Sequence, residues 1–254
     1  MSAEVEIIAH RGASGEAPEN TLSAFRLAWE QGADAVELDI HLTQDRQLVV
    51  IHDSNTRRTT GVRHWVRRQT AQTLTQLDAG AWKGLRFKGE PIPLLAEVLA
   101  TTPPGRRVFI EVKGGAECVE PLSEVLAGAP VSAAQTPFLT FEWDLAKALQ
   151  ERFPDHEVGW NIDRPWKSPR IEKIQERARA AGLSTLSFCD DWPLTAELVA
   201  QLHERGFRVY VWTVDDVAQA RRYIEANVTG VMTNVPARII QGWLQGPAGS
   251  VSVS

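Results

Sequence analysis

The sequence predicts an α/β fold, a (β/α)8 TIM barrel with a small insertion after a β-hairpin extension of the second strand. Three observations predict it. Short apolar strands alternate with amphipathic helices along nearly the whole chain, and counting one hairpin once leaves eight parallel strands. The length, 254 residues, matches the roughly 250 that such barrels take. Ionisable residues also gather at the C-terminal ends of several strands, where a barrel of this kind holds its working groups.

Val5 to Ala9 is a short apolar run that opens into His10-Arg11-Gly12, so His10 and Arg11 stand where a strand becomes a loop. Gly12 permits a turn and a close approach of backbone to ligand. A helix runs from near Thr21 to before Gly32, with Asn20 or Thr21 as its N-cap. In the next strand Ala35, Val36, Leu38 and Ile40 interleave with Glu37, Asp39 and His41. Side chains alternate along a strand, so those three polar residues share a face. Leu48 to Ile51 follows and ends at His52-Asp53. Only Thr43 to Gln47 lie between, too few for a parallel crossover, which predicts a hairpin turning at Asp45-Arg46. With Gln44 opposite Gln47, that register sets Asp39 against His52 on one face.

Ser54 to Pro93 breaks the alternation and reads as an insertion over the barrel mouth, carrying Arg57-Arg58, the run Arg63 to Arg68, and Trp82. A helix over Leu94 to Ala100 precedes Pro103-Pro104-Gly105. Strands are then expected at Arg107 to Lys113, Pro137 to Phe141, Glu157 to Ile162, Thr185 to Phe188, Arg208 to Thr213 and Gly230 to Thr233. Helices fit between them at Val119 to Leu126, Leu145 to Arg152, Arg170 to Ala181, Ala196 to Arg205 and Val217 to Glu225, with a last one after Pro236. The expected organisation is one barrel domain over residues 1–246, an insertion at about 54–93, and a disordered tail over 247–254.

Hydrophobic content of 43% and charged content of 23% suit a soluble globular protein. A net charge of −5 argues against a nucleic-acid-binding surface, so an anionic ligand must be drawn in by local charge. Cys118 and Cys189 lie far apart without metal spacing and read as free thiols in a reducing compartment. The first strand begins too early for a signal peptide, and no stretch reaches the length of a membrane span. The expected protein is cytoplasmic, with no stable membrane anchor and a small-molecule partner; nothing in the sequence indicates an oligomeric state.

Two carboxylates on one buried face repel unless a cation lies between them, and Mg²⁺ or Ca²⁺ suits all-oxygen ligands best. Glu37 and Asp39 provide such a pair, and Glu111, near a strand end, stands where a third ligand would. Lys113 shares a face with Glu111 and is suited to a phosphate oxygen, and Trp212 could wall the pocket. Add His10 and His52 as proton carriers, and this is the inventory for metal-assisted cleavage of a phosphodiester. Each piece alone has a plainer reading. A histidine after a strand can be structural, Glu-x-Asp can cap and pair, Glu-x-Lys can be an ion pair, and Trp212 can be core. The Arg63 to Arg68 run reads as a solvated face, and His41, His64, His156 and His203 have no informative spacing. What favours a site is that the other groups fall together on several separate strand ends.

The segments AHRG, ENT, ELDIHLTQD, VVIHD, EVK and VWTV occur in that order, with DAGAWKG and GEPIPLLAEVL from the insertion. The chain thereby resembles the glycerophosphodiester phosphodiesterases, most of all their short cytosolic bacterial members. That resemblance implies a (β/α)8 barrel that splits glycerophosphodiesters into sn-glycerol 3-phosphate and an alcohol, using one divalent cation, Mg²⁺ or Ca²⁺. It makes Glu37, Asp39 and Glu111 the metal ligands, His10 and His52 the general base and acid, and Arg11 and Lys113 the phosphate holders. Three positions depart from the family pattern: Arg46 where glycine is common, Asp215 where asparagine is usual, and Asn234 where aspartate is common. A phosphodiesterase of lipid headgroups, such as a lysophospholipase D, stays open as an alternative. Trp65, Trp82, Trp143 and Trp166 would be candidates for its apolar lip. A barrel that only binds phosphate esters is the non-enzyme alternative, and the pair His10 and His52 speaks against it.

Overall fold

Nine strands form one sheet, eight of them parallel and closed into a barrel, in a computed structural model that describes residues 5–163 and 170–245. The strands are β1 (Glu6–His10), β2 (Ala35–Leu42), β3 (Leu48–Val50), β4 (Arg107–Val112), β5 (Phe138–Thr140), β6 (Val158–Ile162), β7 (Thr185–Cys189), β8 (Arg208–Trp212) and β9 (Gly230–Thr233). Their order is β1-β9-β8-β7-β6-β5-β4-β2, and a parallel β1–β2 pairing closes the ring. Eight longer helices, at Leu22–Glu30, Leu95–Ala100, Val119–Gly128, Trp143–Arg152, Ile171–Ala180, Ala196–Glu204, Val217–Glu225 and Pro236–Leu244, connect or follow the parallel strands. Thr21 is the cap of the first, its hydroxyl accepting from the Ala24 N–H. Trp166 and the tail 247–254 lie outside the described residues.

The outer faces of the strands bury Val36, Leu38, Ile110, Leu186, Val209 and their neighbours under the helices. Inside the barrel, Ile8, Ala35, Phe109, Leu139, Tyr210 and Met232 form a second, smaller core. Phe109 and Tyr210 meet edge to face with ring centroids 5.1 Å apart. Gly230 makes room for that stack, because a Cβ there would lie 2.9 Å from the Tyr210 ring. Below them, at the N-terminal end, Arg107 bonds Glu6 at 2.7 Å and Glu157 at 2.5 Å.

The hairpin exists, but its register differs from expectation by one residue. β2 and β3 pair Ile40 with Val50, His41 with Val49 and Leu42 with Leu48, so Asp39 faces Ile51 and not His52. The turn is a three-residue loop, Gln44 to Arg46. The Thr43 N–H donates to the Gln47 carbonyl (2.9 Å), and Arg46 takes a left-handed φ of 58°. Such a loop needs one left-handed residue at its end, and Arg46 adopts that conformation without the ease that glycine has. His52 still reaches the site, because strand pairing stops at β3 and the chain bends inward beyond the Ile51 N–H to Asp39 carbonyl bond (2.9 Å).

Residues 54–93 cover the hairpin with a small core of Val49, Ile51, Val66, Ala71, Leu74, Ala79 and Ile92. Lys83 Nζ donates to the Ser14 carbonyl (2.6 Å), which ties this segment to the loop after β1. Arg63, Arg67 and Arg68 are exposed, as expected of a solvated face.

Candidate active site

At the end of β1 the chain turns through Arg11 (φ 58°) and Gly12 (φ 81°). A Cβ on Gly12 would lie 2.7 Å from the Ala24 backbone, so only glycine fits this close crossing of loop and helix. The turn lets the Arg11 N–H donate to Glu37 Oε2 at 3.1 Å. It also points the His10 ring at a polar cluster built by the ends of β8 and β9.

That cluster determines which nitrogen of His10 holds the proton. Asp215 accepts from the Asn234 N–H (2.7 Å), from Thr233 Oγ1 (3.0 Å) and from Asn234 Nδ2 (2.7 Å). With its amide nitrogen committed to Asp215, Asn234 turns Oδ1 toward His10 Nδ1 (2.8 Å) and accepts from Ser14 Oγ (2.8 Å). His10 Nδ1 must therefore donate, and Nε2 carries the lone pair. Burial lowers the His10 pKa to about 4, with Arg11 adding to the effect, so the ring is neutral at neutral pH.

Glu37, Asp39 and Glu111 are buried, and each offers a carboxylate oxygen within 4.8 Å of the others. Asn20, in a left-handed conformation that asparagine tolerates, clamps Asp39 twice: Nδ2 donates to Oδ2 (2.8 Å) and Oδ1 accepts from the backbone N–H (3.2 Å). Lys113 Nζ sits 3.1 Å from Asp39 Oδ1 and 2.5 Å from Glu111 Oε1. Both contacts are ion pairs, so Lys113 faces two of the three carboxylates at once. Burial, then repulsion from Asp39 and Glu111, raises Glu37 well above the usual carboxylate range. Burial, then Asp39, raises Glu111 to about 7. Burial opposes ionisation of Asp39 too, but Lys113 and Arg11 outweigh it and hold Asp39 at about 2. Three close, dry carboxylates facing two cations form an oxygen-rich site that could bind a metal ion.

His52, about a third exposed, lies on the solvent side. Its Nδ1 bonds Asp53 Oδ1 (2.7 Å), and Asp53 is held at about 2, chiefly by hydrogen bonds from Arg58. Asp53 is thus an acceptor, and His52 Nδ1 donates to it. Arg58 also bonds Glu19 (2.6 Å), which accepts from Arg11 (3.1 Å), so one chain of ion pairs links both histidine loops. His41, read as uninformative, uses Nε2 to hold the His52 carbonyl at 3.0 Å. Phe141 and Trp212 meet edge to face at 5.5 Å and wall the far side of a cavity of about 90 Å³. His10, Arg11, Glu37, His52, Glu111, Lys113 and Trp212 all line it; Asp39 supports it from behind. Larger cavities exist, among them one of about 970 Å³ against the last two helices, but this small one holds the ionisable groups.

The sequence reading missed Glu19, Asn20, Asp53, Arg58 and Asn161 as members or supports of the site. Asn20 and Glu19 belong to the ENT segment and Asp53 to VVIHD, so the motifs held the signal without the roles. The model of the glycerophosphoryl diester phosphodiesterase family matches residues 10–238. YhdW of Bacillus subtilis is 35% identical over 237 residues, 92% of this chain and 96% of its own length. A glycerophosphodiester phosphodiesterase of Caldanaerobacter subterraneus is 33% identical, over 92% and 96% of the two chains. An Oleispira antarctica phosphodiesterase, solved in complex with its product sn-glycerol-3-phosphate, is 28% identical. It superimposes with a TM-score of 0.86 over 94% of this chain and 96% of that one. With eight parallel strands closed around an acidic cluster and this agreement along almost its whole length, the chain belongs to the glycerophosphoryl diester phosphodiesterase family.

Proposed function

We propose that the protein hydrolyses glycerophosphodiesters to sn-glycerol 3-phosphate and an alcohol with one divalent cation, Mg²⁺ or Ca²⁺, held by Glu37, Asp39 and Glu111. The observation that carries this reading is the tautomer of His10: a neutral ring with its Nε2 lone pair directed into the cavity that Glu37, Glu111 and His52 also line. The ligand set fits a hard cation, since its donors are three buried carboxylate oxygens within 4.8 Å of one another. Such an ion offsets charge developing on phosphoryl oxygens and lowers the pKa of an oxygen it holds.

His10 Nε2 is the general base, taking a proton either from water, which then attacks phosphorus directly, or from the glycerol 2-hydroxyl, whose attack closes a cyclic phosphate that water must open in a second step. His52 is the general acid and delivers a proton to the departing alkoxide; its exposure suits exchange with solvent. Arg11 and Lys113 hold phosphate oxygens, the first as a planar fork and the second as a point charge. The Phe141–Trp212 pair gives one side of the cavity an apolar wall. A cytoplasmic location accords with the two buried free thiols, Cys118 and Cys189.

Release of glycerol 3-phosphate from glycerophosphocholine, measured with EDTA and then with Mg²⁺ or Ca²⁺ restored, tests the reading. Metal-dependent release is expected. His10→Ala should lower kcat by about 10²- to 10⁴-fold while product affinity is kept. Asn234→Leu, which frees the ring of its orienting partner, should cost roughly 10- to 100-fold. A folded protein inactive with every divalent ion would refute it. A lipid-headgroup substrate is the second reading, favoured by exposed Trp65, Trp82 and Leu85 in the segment tied to the mouth. Stimulation by lysophospholipid micelles would decide for it.

A further inference from the structure

Three buried polar atoms on successive strands have no hydrogen-bond partner among the described residues: Asn161 Oδ1 on β6, Ser187 Oγ on β7 and Trp212 Nε1 on β8. Asn161 and Ser187 are register partners, and Asn161 is only 5% exposed and Ser187 fully buried. Asn161 and Trp212 line the same small cavity as His10 and Lys113. Buried polar groups left unpaired are costly, so the two that line this cavity call for a ligand group.

We infer that Asn161 and Trp212, backed by Ser187, form a subsite for a neutral hydroxyl at the glycerol end of the substrate. The inference rests on the hydrolysis proposed above and names the part of the substrate that this side of the cavity reads. Chemistry selects the ligand group. The Asn161 carbonyl accepts and the indole N–H donates, and a hydroxyl is the small group that does both. Phosphate is left to the two cations on the same cavity, Arg11 and Lys113. Position selects the end of the substrate: Asn161 and Trp212 line the same cavity as His10, the base assigned to the glycerol 2-hydroxyl. With the phosphate on C3 and the 2-hydroxyl facing the base, the terminal hydroxyl on C1 is the group left for Asn161.

Two ligand pairs test this. Hydrolysis compares glycerophosphoethanolamine with its analogue lacking the C1 hydroxyl. Calorimetry compares sn-glycerol 3-phosphate with 2-hydroxypropyl phosphate, in the presence of Ca²⁺. The wild-type protein should favour the hydroxylated member by about two- to tenfold in both, the scale of one net hydrogen bond. Asn161→Leu should bring both ratios close to one, and Trp212→Phe, which keeps the wall but removes the donor, should lower them part of the way. Equal affinity in the wild type, or ratios unchanged in Asn161→Leu, would overturn the subsite and leave a water as the partner of Asn161. Discrimination in binding without any hydrolysis would uphold the subsite and sink the assigned reaction. If Asn161→Leu does not fold, the Trp212→Phe ratio decides alone.

Discussion

Glu37, Asp39 and Glu111 carry opposite pH signatures, although they share one cluster. Glu37 and Glu111 are raised by burial and mutual repulsion, Glu111 to about 7 from an ordinary 4.5. A raised group stabilises the fold fully below its unfolded pKa, and that contribution is lost as pH rises through the folded value. Asp39, held at about 2 against an ordinary 3.8, behaves in reverse: its contribution is lost as pH falls through about 2. His10, lowered to about 4 by burial, works the other way over part of the range between pH 4.5 and 7, so the carboxylate contribution is read as a difference. In EDTA the melting temperature of the wild type should fall relative to that of Glu111→Gln between pH 4.5 and 7, and Ca²⁺ or Mg²⁺ should offset that fall. Thermal unfolding of both proteins across the range checks it, and a difference that stays constant or moves the other way would contradict the assignment. The same residue scale explains two departures from the family pattern. Asp215 and Asn234 are bonded to each other, so acid and amide stand in each other's expected positions while the link to His10 is kept. The carboxylate lies one residue further from the ring, and the ring meets a neutral acceptor.

At the element scale, the β2–β3 hairpin shows how a local rule can be right in kind and wrong in register. Five residues between two apolar runs do indicate a hairpin, and one forms. Whether its loop holds two residues or three depends on whether Arg46 adopts a left-handed φ, and a non-glycine residue does so only where the flanking pairing compensates. Arg46→Gly should relieve that strain, adding about 1 kcal/mol and raising the melting temperature by roughly 2–4 °C. An unchanged or lowered melting temperature would show that the Arg46 side chain contributes more than its backbone costs. The helices were more legible than this turn. Thr21 caps the first as one of two candidates, and Val217–Glu225 has the bounds read from its pattern.

The whole molecule separates chemistry from stability along the barrel axis. The C-terminal end holds the carboxylates and histidines. The N-terminal end is tied by Arg107, which spans β1 and the start of β6 through Glu6 and Glu157 and also touches the Tyr210 hydroxyl (3.2 Å). Arg107→Leu would leave two poorly exposed carboxylates with less compensation, at a cost of about 2–3 kcal/mol. Urea denaturation should register that loss, while kcat and metal affinity, measured well below the melting transition, should stay as in the wild type. A large fall in kcat would mean that the two ends of the barrel are coupled.

By itself the sequence determined the barrel, the strand ends that bear ionisable groups, and the family, because strand alternation, helix periodicity and contiguous motifs are all local in the chain. It also determined that Glu37 and Asp39 share a face, since a strand has a period of two. The tertiary structure decided what depends on atoms distant in sequence: the tautomer of His10, set by Asn234 from 224 residues away, and the clamp of Asn20 on Asp39. It decided as well that Asn161, Ser187 and Trp212 meet with unpaired polar atoms. Hydrogen bonds act over about 3 Å, and only the closed barrel brings those groups within that range.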